Sequence, residues 1–124
     1  MKKRILVVDD EADVRRFLTA VLEKRGHETV TAADGREAFE AAERERPDLI
    51  ILDLQMPDQT GTDFYRRLMK DKDLQKTPII VVSGLAGRHL AVREPFAVFD
   101  KPIDPDEFGA TVDRALGLKN GVEE

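Results

Sequence analysis

The sequence has no cysteine, which excludes a disulfide scaffold, a thiolate zinc site, an iron–sulfur cluster and cysteine-based catalysis. It also lacks a surplus of positive charge. Its 25 acidic residues against 20 basic ones give a formal net charge of -5, which argues against direct nucleic-acid contact, because neutralising phosphates needs a basic face. Long apolar runs are missing too. Met1 to Arg4 followed by Ile5 to Val8 imitates the start of a secretory signal, but the run stops at Asp9, too short for a signal core, and no other stretch approaches a membrane span. A soluble cytoplasmic protein without membrane insertion is the expectation. What is present is 124 residues with 41% hydrophobic content, enough for one core and one domain, so any output module is expected to be another protein.

Short runs of branched apolar residues recur at Ile5 to Val8, Leu49 to Leu52 and Ile79 to Val82, without internal alternation. Such runs suit parallel strands buried on both faces. Glu28 to Ala32 and Phe96 to Phe99 are weaker candidates that fall where an alternating order needs strands. Between the runs lie helical patterns. Val14, Phe17, Leu18, Val21 and Leu22 make the stripe of an amphipathic helix ending at Gly26. Asp34 with Glu37 opens an alanine-rich helix that stops before Pro47, Thr60 and Asp63 open another carrying Phe64 and Leu68, and Asp104-Pro105 opens a last one carrying Phe108 and Val112. Gly84 to Glu94 is poorly patterned, so the fourth helix is expected to be short or irregular. Strands alternating with helices predict a doubly wound five-stranded parallel sheet, a three-layer α/β/α arrangement whose ligands bind beyond the carboxyl ends of the strands.

Polar residues sit at those ends. Asp9 and Asp10 follow the first run, Asp53 the third, Ser83 the fourth and Lys101 the fifth. Singly, each is what a helix cap or a solvated loop uses. Together, three carboxylates on one sheet edge repel one another unless a cation neutralises them, and magnesium, which prefers hard oxygen ligands and retains waters, is the natural remedy. Acids, a hydroxyl and an ammonium collected at one edge suit phosphoryl transfer, where charge on the transferred oxygens must be met by a metal and fixed donors.

The whole chain resembles a receiver domain of the two-component response regulators, with a flavodoxin-like (βα)5 fold. The likeness is carried by Ile5-Leu-Val-Val-Asp-Asp-Glu11, Leu52-Asp-Leu-Gln-Met-Pro-Asp-Gln-Thr-Gly61, Ser83-Gly84 and Lys101-Pro102, four motifs in order. The resemblance implies a receiver over residues 1–118, and the tail at 119–124, with no apolar face to bury, is expected to fray. It implies that Asp53 is the phosphoacceptor, taking phosphate from a histidine kinase or phosphotransfer protein. Mg2+ would be held by Asp10 and Asp53 directly, by Asp9 through water, and by the Gln55 carbonyl. Lys101 would pair with the phosphoryl oxygens, Ser83 would donate its hydroxyl to one of them, and the Lys101-Pro102 bond would be cis. Output would be altered binding of a downstream protein.

Two departures stand out. The position three before the lysine, often aromatic in receivers, is Val98, and Phe99 should face the opposite side of its strand. The interval from Ser83 to Lys101 is short for the family, and the missing length falls in the fourth helix. An alternative is therefore a receiver-like interaction module that docks partners regardless of phosphate. A related phosphatase is disfavoured by Gln55 where a second acid is wanted, and a flavin carrier by Asp9 and Asp10 where a phosphate-cradling loop is wanted. His27 and His89 read as ordinary surface residues.

Overall fold

Branched apolar runs become the middle of a sheet because their side chains can be buried on both sides at once. In the computed structural model, which describes residues 3–53, 60–83, 94–119 and 122–123, five parallel strands form in the order β2-β1-β3-β4-β5. They are β1 (Arg4–Val8), β2 (Glu28–Ala32), β3 (Leu49–Asp53), β4 (Ile79–Ser83) and β5 (Ala97–Asp100). The helices are α1 (Ala12–Lys24), α2 (Gly35–Glu45), α3 (Thr60–Leu68) and α4 (Pro105–Ala115). Alternate residues of each central strand serve two cores. Leu6, Val8, Ile50, Leu52 and Val81 pack with Ala38, Ala41 and Ala42 of α2 and with Phe64 and Leu68 of α3. Ile5, Val7, Leu49, Ile51, Ile80 and Val82 pack with Leu18 and Leu22 of α1 and with Phe108 and Val112 of α4. The result is the expected three-layer α/β/α arrangement.

Local chemistry sets the helix ends. The Asp34 carboxylate accepts the Glu37 N–H at 2.8 Å, and Glu37 reaches back to accept the Ala33 N–H at 3.0 Å. The Asp104 carboxylate accepts the Asp106 N–H at 2.9 Å, with Pro105 opening α4. Gly26, just past α1, takes a φ of 90°, a left-handed backbone that a Cβ would strain.

Some boundaries move. β3 and β4 each run one residue further than the apolar pattern, so Asp53 and Ser83 are the last residues of their strands. β5 is Ala97–Asp100 rather than 96–99, with the Phe96 N–H donating to the Ile79 carbonyl at 2.7 Å. Where a frayed tail is expected, Leu118–Lys119 (β6) pairs antiparallel with Val122–Glu123 (β7). Gly117, at φ 76°, turns the chain between α4 and β6, and a two-residue ribbon of this kind is marginal in water. The fourth-helix segment, 84–93, lies outside the described residues.

The strand order reverses at β1, which pairs with β2 on one side and β3 on the other. The crevice beyond the carboxyl ends of β1 and β3 is therefore where the topology places ligands.

Candidate functional site

Each acidic residue reaches this crevice because a strand ends beneath it. Asp9 follows β1 and is buried, its N–H donating to the Ala32 carbonyl at 3.1 Å and its Oδ1 accepting the Glu11 N–H at 2.9 Å. Asp53 closes β3 and is also buried, whereas Asp10 is exposed. Carboxylate oxygens of Asp9, Asp10 and Asp53 all lie within 4.8 Å of one another. From the loop after β5, the Lys101 ammonium stands 3.5 Å from Asp9 Oδ2, 3.7 Å from Asp53 Oδ2 and 3.7 Å from Glu11 Oε1. The Lys101-Pro102 peptide is cis, as the resemblance implies.

Burial pushes the Asp9 carboxyl above its ordinary range, against the Glu11 N–H and the Lys101 ammonium, which favour the anion. Lys101 shows the opposite balance. Burial alone would lower its pKa, but the Asp53, Asp9 and Glu11 carboxylates outweigh it and hold the ammonium more firmly protonated than usual. Carboxylates thus outnumber the ammonium they share. Two ligands on opposite sides of a magnesium ion are roughly 4.2 Å apart, twice the usual bond length, so three oxygens within 4.8 Å fit that ion after small adjustments. An all-oxygen set of hard donors also suits it chemically.

Asp9, Asp10, Asp53 and Lys101 therefore come together as the sequence predicts. Ser83 ends β4 beside them in the strand order, its side chain outside the described residues, and Gln55 and Gly84 also lie outside. Val98 is exposed at the β5 edge, while Phe99 turns into the core, edge-on to Phe108 with ring centroids 5.4 Å apart. Two neighbours escaped sequence reasoning. Arg15, one turn into α1, donates to the Asp9 carbonyl at 2.6 Å, and Glu11 approaches Lys101. Glu11 belongs to the quoted acidic motif. Arg15 is signalled only by its helical spacing from the strand end.

His27 corrects an expectation. It is buried rather than on the surface, with Nε2 3.0 Å from Asp113 Oδ1, and Asp113 Oδ2 accepts from Arg25 Nε at 3.1 Å and Nη2 at 2.8 Å. Single-residue statistics favour exposure for an isolated histidine. The pairing spans 86 positions, and no local pattern encodes it. His89 lies outside the described residues.

The fold and this cluster together define a class of phosphoacceptor-like α/β domains, and comparison makes it specific. The family of the response regulator receiver domain matches residues 5–113, and the chain belongs to it. The sporulation initiation phosphotransferase F of Bacillus subtilis is 33% identical over 122 residues, covering 97% of this chain and 98% of that protein. Other curated relatives are longer, and the chain spans 48% of one and 49% of another. Among solved structures, chemotaxis protein CheY4 of Vibrio cholerae superposes with a TM-score of 0.84 at 31% identity, over 94% of this chain and all of that one. The receiver domain of the Pseudomonas aeruginosa sensor kinase PA1611, with magnesium coordinated in its active-site cleft, superposes equally well at 26% identity, over 94% of this chain and 99% of that one. Homologues act in two-component signal transduction. No helix among the described residues is long and apolar enough to cross a membrane.

Proposed function

We propose that this chain works as a stand-alone response regulator, accepting a phosphoryl group on Asp53 from a histidine kinase or histidine phosphotransfer protein and signalling by altered binding of a partner protein. The Asp53 carboxylate oxygen attacks phosphorus, the phosphorus–nitrogen bond of the donor breaks, and the imidazole leaves. Asp9, Asp10, Asp53 and the Gln55 carbonyl are the residues that would hold Mg2+, which supplies positive charge to the oxygens of the transferring group. Lys101 pairs with those oxygens and Ser83 donates its hydroxyl to one. The domain catalyses its own phosphorylation and dephosphorylation.

One observation carries this reading: a carboxylate buried at a strand end, beside a second buried acid, with an ammonium 3.7 Å away. An apolar depression of about 390 Å³ beside Lys101, lined by Val14, Phe17, Pro102 and Ile103, supports a protein as phosphodonor. A small acyl phosphate is expected to label the chain only when Mg2+ is present, and Asp53→Asn is expected to abolish the label. Labelling that survives in this variant removes Asp53 from its role.

A second reading, docking without phosphate control, draws support from Val98 and from Phe99, whose ring is committed to the core. Partner affinity unchanged by beryllofluoride would select it.

A further inference from the structure

Glu11 stands where α1 begins and does not do what that position asks. The residue before a helix ordinarily accepts a hydrogen bond from an N–H of the first turn, a task for Ser, Thr, Asp or Asn. Glu11 has the extended backbone of such a residue, φ -94° and ψ 119°, yet its side chain makes no capping bond. Its Oε1 lies instead 3.7 Å from Lys101 Nζ, although the side chain is 64% exposed. The same ammonium stands 3.5 Å from Asp9 Oδ2 and 3.7 Å from Asp53 Oδ2, side chains only 1% exposed. Those two acids belong to the candidate metal-ligand cluster, and Glu11 does not.

Resting on the reading of Asp53 as phosphoacceptor, we propose that Glu11 is a positioning residue: a second seat for the Lys101 ammonium, outside the metal-ligand cluster. A dication entering among Asp9, Asp10 and Asp53 repels an ammonium less than 4 Å from two of them. The lysine has a flexible four-carbon stem and can swing toward Glu11 without losing a carboxylate partner. An exposed ion pair is weak, which suits a seat the lysine must leave when phosphoryl oxygens arrive. Glu11 thereby lowers the cost of metal entry and keeps the ammonium within reach of the transferred group.

The test is Mg2+ affinity, measured by calorimetric or NMR titration of the intact chain as wild type, Glu11→Gln, Lys101→Ala and the double variant. Glu11→Gln is expected to weaken Mg2+ binding about two- to five-fold when Lys101 is present, and about 1.5-fold or less in the Lys101→Ala background. Equal weakening in both backgrounds would show that Glu11 acts only as a nearby charge, and no weakening would show that it does not act; either overturns the second seat. Glu11→Asp adds an independent check. It keeps the charge but shortens the reach and favours capping of α1, so it is expected to match Glu11→Gln, and wild-type affinity overturns the proposal. A wild type that binds no Mg2+ overturns both this inference and the phosphoacceptor reading. Normal Mg2+-dependent labelling of Asp53 with a flat Glu11 series removes the second seat alone.

Discussion

Two groups of buried charge lie at opposite ends of the sheet and follow different rules. At the amino end, Asp113 is matched oxygen by oxygen: Oδ2 takes two N–H donors of Arg25 and Oδ1 faces His27 at 3.0 Å. Gly109 makes room for this, because a Cβ there would stand 2.7 Å from Arg25 Cδ. At the carboxyl end, Asp9, Glu11 and Asp53 share one ammonium at 3.5 to 3.7 Å, longer than a well-formed charge-assisted hydrogen bond. The first arrangement gives both Asp113 oxygens partners inside the protein and ties α1 and β2 to α4, although His27 Nδ1 is buried without a hydrogen-bond partner among the described residues. Among the same residues, the second sets three carboxylates against one ammonium, an arrangement that a metal cation can complete. A buried acid is thus structural or functional according to whether its own chain matches its charge.

The sharpest way to break this comparison is to remove one acid from each end. Asp113→Ala strands the His27 ring and leaves Arg25 without its partner, and should cost about 3 kcal/mol in urea unfolding. That is the low end for a broken buried pair, because Arg25 is partly exposed and can reach water. Its Asp53 labelling should be unchanged. Adding Mg2+ at roughly tenfold its dissociation constant should stabilise the wild type by about 1.4 kcal/mol, and Asp113→Ala by the same increment. Asp53→Asn removes one of the crowded carboxylates and should stabilise the metal-free domain by about 1 kcal/mol, read as a rise in melting temperature. Should Asp53→Asn destabilise as much as Asp113→Ala, the two ends are alike and the distinction fails.

The functional end was far more legible in the sequence than the structural one. Asp9, Asp10, Asp53 and Lys101 each sit beside an apolar run or within a short motif, and parallel topology carries every strand end to the same edge. Strand position therefore translated directly into proximity. The same logic placed Val98 and Phe99 on opposite faces, since side chains alternate along a strand, and the structure adds which is which: Val98 is exposed and Phe99 packs against the core. The Arg25–His27–Asp113 group depends instead on how the end of α4 meets the end of α1, a pairing across 86 to 88 positions without local signature. The single-residue shifts at β3, β4 and β5 have a similar origin. Hydrogen-bonded pairing sets strand ends, and it extends past the apolar residues to Asp53 and Ser83.

A third charge pair supplies the lower bound of the comparison. Asp13 and Arg16 are bonded one turn apart on α1, with side chains 89% and 75% exposed. Water already solvates both groups, so the pair offsets little desolvation and is screened by salt. Arg16→Ala should change stability by less than about 0.5 kcal/mol, and the difference should shrink further at high ionic strength. A loss comparable to that of Asp113→Ala would mean that burial is not what separates the strong charge group from the weak one, and that stability gains from charge pairing wherever it occurs on this fold.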